Sequence, residues 1–212
     1  MYTLYYFPGS ANLAPHILLE ELEHEYRLNY VERDEGEHKK PDYLKLNPSG
    51  RIPVLIDDDL VLYETAAICL HLVDTHPDCA LIPPLGSAAR ANVYKWLMYL
   101  TNTVQVELLM YFYPQRWADS QSAAEQVKAH AEARINDMLD LIESELNERG
   151  PFLGGSDYSL LDPYLFMLAR WSRGFERPAR SRPQLKVFLE TVLERRAVKD
   201  ALRAEQLTPP YF

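Results

Sequence analysis

The stretch Asn47-Pro48-Ser49-Gly50-Arg51-Ile52-Pro53-Val54-Leu55-Ile56-Asp57-Asp58-Asp59-Leu60-Val61-Leu62-Tyr63-Glu64-Thr65-Ala66-Ala67-Ile68 decides the fold. Its first four residues are a turn cluster. Residues 52–56 form an apolar strand that opens on a proline, a place where the missing N–H does no harm to a ladder. Three aspartates make a hairpin turn, and residues 60–63 are the returning strand. Residues 64–76 then read as a helix, with Ile68, Leu72 and Val73 on one side.

Upstream, Thr3-Leu4-Tyr5-Tyr6-Phe7 is β-prone and stops at Pro8-Gly9-Ser10. A helix to about Leu22 follows, with Pro15 in its first turn and Ile17, Leu18 and Leu22 on its apolar face. Residues 26–31 alternate as a second strand, and the polar run 32–40 is a loop or irregular helix. The order is βαβ, a helix, then ββα. Downstream the character changes. Residues 81–86, with Pro83-Pro84, read as a linker, and from Ser87 onward only helical patterns occur, chiefly 88–113 and 123–149. Ser159-Leu160-Leu161-Asp162 has capping-box spacing, with Ser159 expected to accept from the N–H of Asp162 and Asp162 to reach back to the N–H of Ser159. Helices near 184–195 and 197–206 finish the chain. The expected organisation is an α/β domain over 1–80, a linker at 81–87 and an all-helical domain over 88–212.

The 212 residues are 47% hydrophobic and 25% charged, which provides for a buried core and excludes global disorder. Apolar runs are broken by charges well before the roughly 20 residues a membrane span needs. No signal segment opens the chain, and the two cysteines, Cys69 and Cys79, fit a reduced, cytoplasmic protein with no metal motif. The net charge of −9 disfavours nucleic acid as a partner. The basic run from Arg170 to Arg182 reads first as a solvated helix end and loop.

Five motifs in order carry a resemblance: Tyr5-Tyr6-Phe7-Pro8-Gly9-Ser10, Leu13-Ala14-Pro15-His16, Asn47 through Leu55, Leu62-Tyr63-Glu64-Thr65-Ala66-Ala67-Ile68, and Ser159-Leu160-Leu161-Asp162-Pro163-Tyr164-Leu165. Together they make the chain resemble a cytosolic glutathione transferase, most closely of the bacterial beta class. The resemblance spans nearly the whole chain. It implies a thioredoxin-like N-terminal domain, an all-α C-terminal domain, glutathione as cosubstrate, a hydrophobic electrophile as second substrate, and a homodimer.

The residues suit those roles physically. The resemblance implies a cis bond before Pro53, so that Ile52 offers its backbone N–H and C=O to the cysteinyl unit of glutathione as a sheet edge would. Thr65, at a helix start, would bind the γ-glutamyl carboxylate, and Glu64 would pair with its ammonium. Without a ligand, the same two residues suit a helix N-cap and a first-turn acid. His38, Lys39, Lys40 or Arg51 would meet the glycine carboxylate.

Bound thiol must be held as thiolate, the nucleophilic form, although a free thiol is mostly protonated at neutral pH. The beta class carries a cysteine two residues after the turn glycine; here that position is Ala11, and Gln105 stands where the class has a histidine. The remaining donors are Asn12, Ser10 and Tyr6, with Asn12 and Ser10 ranked above Tyr6, and Asn12 equally suits an N-cap. Cys69 reads as core. Tyr99, Gln105, Tyr111 and Tyr113 on the first long helix are the candidates for the electrophile pocket, the bland alternative being that each packs a core. The function that follows is conjugation of the glutathione thiolate to an electrophile. The competing reading is a non-catalytic relative that keeps the fold. A thiol–disulfide oxidoreductase lacks its nucleophile at Ala11.

Overall fold

The computed structural model describes residues 1–212 and divides into two compact units. One comprises Met1–Ile82 with Val192–Pro209, and the other Pro83–Thr191 with Pro210–Phe212.

The first unit is built on a four-stranded sheet of order β2-β1-β3-β4. Its strands are β1 (Tyr2–Tyr6), β2 (Tyr26–Tyr30), β3 (Val54–Asp57) and β4 (Leu60–Tyr63). β1 runs parallel to β2, through the crossover helix α1 (Leu13–Glu21), and antiparallel to β3. Alternation sends Tyr2 and Leu4 of β1 to one face. That face belongs with the buried sides of α1 (Leu13, Ala14, Ile17, Leu18) and α3 (Thr65–Asp74: Ile68, Cys69, Leu72, Val73), which pack on each other. Cys69 is wholly buried, as the sequence implies, and burial pushes its thiol up and out of reach of ionisation. Tyr5 turns to the opposite face, where Val31, Tyr43 and Val54 form a smaller cluster beside α2 (Pro41–Leu46).

All-helical sequence after residue 88 does not all stay together. The last helix, α9 (Arg196–Ala204), packs on α1 within the first unit. The reason lies in its stripe of Ala197, Val198, Ala201 and Leu202, all buried, and in Arg195, whose guanidinium donates through Nε (2.5 Å) and Nη2 (2.8 Å) to the two oxygens of Glu21 on α1.

The second unit comprises α4 (Ala88–Tyr99), α5 (Gln105–Phe112), α6 (Gln121–Arg149), α7 (Leu161–Trp171) and most of α8 (Pro183–Leu193). The expected single helix over 88–113 is broken by a five-residue π-helical segment, Leu100–Val104. Ser87 and Ser120 cap α4 and α6 by accepting from the N–H groups of Arg90 and Ala123. α7 is buried along its length, as its largely apolar sequence requires. Its start follows the capping box in half: Ser159 N–H donates to Asp162 Oδ2 (2.7 Å), but Ser159 Oγ accepts from Leu161, not from Asp162. Asp162 N–H instead donates to the Ser159 carbonyl, because the helix opens one residue tighter than the motif assumes.

The basic run is not simply solvated. Arg170 is buried, and Arg182 is 1% exposed. Arg182 spends its fork of donors on Asp140 Oδ1 (2.7 Å), Asn136 Oδ1 (2.9 Å) and the carbonyls of Asn136, Arg177 and Pro178. No helix of the chain is long and apolar enough to cross a membrane.

Candidate active site

Strand register gathers the candidate residues of the first unit. Tyr5 stands opposite Val54, and Val54 opposite Tyr63, while Val31 N–H donates to the Tyr6 carbonyl (2.9 Å). The ends of β1, β2 and β4 and the start of β3 therefore lie along one edge of the sheet. Four connections leave from that edge: the β1–α1 turn with Ser10 and Asn12, the loop after β2 with His38 and Lys39, the segment before β3 with Arg51, Ile52 and Pro53, and the β4–α3 junction with Glu64 and Thr65.

The Ile52–Pro53 peptide is cis, and Pro53 is buried. Ile52 stands outside the registered strand pairing, half-buried at the mouth of the edge. Glu64 occupies the N-cap position of α3 with φ 73° and ψ 113°, a conformation few side-chain-bearing residues adopt. Its side chain is exposed and makes no capping bond. Thr65 is the first helical residue, is 6% exposed, and its hydroxyl also caps nothing. The ligand-free explanation of this pair, a conventional N-cap, is thus not how they are used.

Among the cations, Lys39 is committed to the backbone. Its ammonium donates to the carbonyls of Gly50 (2.7 Å) and Ser49 (3.2 Å), closing the 47–51 turn. Gly50 permits this with φ 58° and no Cβ, since an added carbon would lie 2.8 Å from both the His38 carbonyl and Lys39 Nζ. His38 is half-buried; desolvation, and then the charges of Lys39 and Arg33, push its imidazole toward the neutral form. Arg51 and Lys40 are exposed. The Arg51 carbonyl is fixed by Tyr43 Oη and Asn47 Nδ2, both at 2.8 Å.

The thiol-activating candidates separate sharply. Asn12, ranked with Ser10 above Tyr6 on sequence, is wholly buried. Its Oδ1 accepts from Phe7 N–H (3.1 Å) and its Nδ2 donates to Glu205 (2.8 Å), so the amide braces the turn from beneath and neither caps α1 nor faces a ligand. Tyr6 shares the face of Tyr2 and Leu4, the side on which α1 and α3 pack, and burial together with the charge of Glu205 raises its phenol pKa, so it stays protonated. Ser10 remains, half-exposed. Its backbone N–H donates to the Phe7 carbonyl (3.1 Å), and its hydroxyl makes no hydrogen bond within the chain. Ala11 beside it is buried and brings no polar atom.

In the second unit, Tyr111 packs its ring against Phe175 (4.3 Å) beneath the ammonium of Lys128 (4.7 Å), which is a packing role. Tyr99 stands edge-on to Trp96, and Tyr113 lies under the guanidinium of Arg116. Gln105 opens α5 directly after the π segment; its Oε1 accepts from Tyr164 Oη at 2.5 Å, leaving its amide N–H groups to donate elsewhere.

Sequence reasoning missed Glu205. It lies just past α9, 1% exposed, and its carboxylate accepts from Gly9 N–H (2.7 Å) and Asn12 Nδ2 and lies 2.8 Å from His16 Nδ1. Nothing in local spacing ties residue 205 to a turn at residues 8–12.

The glutathione S-transferase N-terminal domain family matches residues 1–74. Glutathione S-transferase 3 of Zea mays is 30% identical over 220 residues, spanning 98% of this chain and 96% of that protein. A crystal structure of a glutathione transferase homologue from Sulfitobacter with bound glutathione matches at a TM-score of 0.89 and 32% identity, over 98% of this chain and 99% of its own. The bacterial beta class glutathione S-transferase of Sphingomonas chungbukensis matches at 0.84 and 29%, over 97% of this chain and all of its own. With a thioredoxin-like sheet, a cis proline at its edge and likeness that runs from end to end, the chain belongs to the glutathione S-transferase family.

Proposed function

We propose that the protein is a glutathione transferase that joins the thiolate of glutathione to an electrophilic carbon of a hydrophobic substrate. The observation that carries this reading is the gathering of Ser10, Ile52, Glu64 and Thr65 at one sheet edge, in a chain alike over its whole length to a homologue that holds glutathione. The cysteinyl unit pairs with the backbone of Ile52. The γ-glutamyl carboxylate takes the Thr65 hydroxyl and the N–H groups that open α3, where the helix dipole favours an anion, and its ammonium pairs with Glu64. Arg51 or Lys40 meets the glycine carboxylate, since Lys39 is engaged by the turn and His38 leans neutral.

Ser10 is the donor to sulfur. The thiol loses its proton to solvent, the Ser10 hydroxyl and the amino end of α1 stabilise the thiolate, sulfur attacks carbon, and the leaving group departs with its electron pair. A homodimer in the cytoplasm completes the reading.

Calorimetric titration with glutathione, paired with the ultraviolet thiolate absorbance of the complex across pH and turnover of an activated aryl halide, tests it. Ser10→Ala should leave binding within a few-fold and lower kcat by about 10²-fold, the usual cost of one oxyanion-stabilising donor. Unchanged turnover in Ser10→Ala removes Ser10 from the chemistry. Binding without any lowering of the thiol pKa, and without turnover, overturns the transferase reading.

A further inference from the structure

We propose that His16 is a buried imidazolium that cancels the charge of Glu205 beneath the β1–α1 turn, and that the pair thereby sets the acidity of the thiol bound above that turn. The second half rests on the transferase reading; the first does not.

The charge state follows from counting protons. A carboxylate only accepts, so His16 Nδ1, 2.8 Å from Glu205 Oε1, carries a hydrogen. His16 Nε2 lies 2.9 Å from Tyr26 Oη. The phenol has one proton, and it is given to Glu20 Oε1. Burial, the hydrogen bond to Glu20 and the charges of Glu20, Asp200 and Glu205 all favour a phenol that keeps that proton. Tyr26 Oη can therefore only accept from His16, which places a second hydrogen on Nε2. With both ring nitrogens donating, the ring is a cation, and it is wholly buried. The groups that face it are Glu205, just past the last helix, at 2.8 Å, Glu20 of α1 itself at 4.0 Å, and the neutral phenol of Tyr26 from β2; Asp200 of α9, which also acts on Tyr26, is paired with Arg196 and Arg203.

The need for that cation is visible in Glu205. A buried carboxylate hydrogen-bonded to Gly9 N–H sits at the amino end of α1, where it opposes the positive end of the helix dipole. Its field reaches β1, where it works against ionisation of Tyr6. The same field, left uncompensated, would work against a thiolate at Ser10. His16⁺ in contact with the other oxygen of that carboxylate, Oε1, offsets it while leaving the hydrogen bonds that shape the turn intact. His16 and Glu205 are thus positioning residues acting through the turn, without touching the substrate.

Ring nitrogen shifts from NMR of uniformly ¹⁵N-labelled protein without ligand read the first half. Two protonated ring nitrogens on His16 at pH 7 are expected, and a neutral tautomer there overturns the proposal. For the second half, the thiolate absorbance of bound glutathione is followed against pH in wild type, His16→Asn, Glu205→Gln and the double variant. His16→Asn keeps a neutral N–H toward Glu205 and should move the inflection to higher pH by on the order of one unit, the size of one nearby unit charge at an effective dielectric of roughly 20. Glu205→Gln should move it the other way, and the double variant should return it toward wild type. Shifts of the same sign in both single variants, or none in His16→Asn, overturn it, because loss of structure alone has no reason to reverse sign. Failure of wild type to bind glutathione would sink the transferase reading while leaving the ¹⁵N result to judge the ion pair.

Discussion

Asn12→Ala separates a scaffold role from a chemical one. The side chain is completely buried and both of its polar atoms are used within the chain. Truncation leaves Phe7 N–H without its acceptor, which costs about 1–3 kcal/mol for a buried donor. It also removes a charge-assisted bond to Glu205, typically about 1.5–3 kcal/mol. The two losses share one turn and are not strictly additive, so a destabilisation of about 3–5 kcal/mol is expected. Against a total of roughly 5–15 kcal/mol for an ordinary domain, that is a large fraction. Denaturant unfolding at fixed protein concentration measures it, as a lower midpoint with an unchanged slope. Ser10→Ala, two residues away with a free hydroxyl, should stay within about 0.5 kcal/mol of wild type. An Asn12→Ala variant that unfolds like wild type but loses turnover would refute the reasoning. It would mean that the amide leaves its two partners to serve the sulfur.

Other outcomes follow from the same geometry. Glu64→Ala should weaken glutathione binding tenfold or more by calorimetry, about 1.4 kcal/mol per decade, with a smaller effect on binding of an analogue lacking the γ-glutamyl ammonium. Arg182→Leu should destabilise the protein by about 3–5 kcal/mol in urea, since it removes a buried cation and strands Asp140, Asn136 and the carbonyls it satisfied. Burial works to raise the Asp140 pKa, but hydrogen bonds from Arg177 and Arg182 outweigh it and hold the carboxyl below its ordinary value. A depressed folded pKa contributes stability that is present above the unfolded value of about 3.9 and is lost as pH falls through the folded one. Asp140→Asn should accordingly flatten the stability profile below about pH 4, and an unchanged acid limb would refute the assignment.

The first unit was legible because its signals are local. Turn clusters, period-two strands and the proline-led strand fix the order of elements, and strand register then brings distant motifs to one edge without further information. Ile52, Pro53, Glu64 and Thr65 stand together for that reason. The second unit was legible in its helices and less so in its faces. A five-residue π segment adds residues to the turn, so the faces of α5 are rotated from where a continuous 3.6-residue period puts them. Tyr111, read as a candidate for a pocket, lies on α5 after that segment with its ring against Phe175.

Asn12 shows where local reading stops. On sequence it has every property of a thiol donor or an N-cap, because both judgements use only its neighbours. What decides its role is Glu205, 193 residues away, which reaches the turn because α9 docks on α1 through Ala197, Val198, Ala201 and Leu202 and through the Arg195–Glu21 ion pair, none of which points to residue 12 in the sequence. A hydrogen-bond network leaves no period in the sequence, and its members are ordinary residue types at unrelated spacings. The same holds for charge. An acidic residue near the end of a chain of net charge −9 is unremarked in composition, yet buried under the β1–α1 turn it sets a negative charge at the amino end of α1. With Ala11 supplying neither donor nor nucleophile, the acidity of a bound thiol rests on one hydroxyl and on how completely that field is neutralised. The residue proposed to neutralise it, His16, and the Tyr26 and Glu20 side chains that line up behind its other ring nitrogen lie on α1 and β2 below the turn, which makes the underside of the site as consequential for the chemistry as the face that meets the ligand.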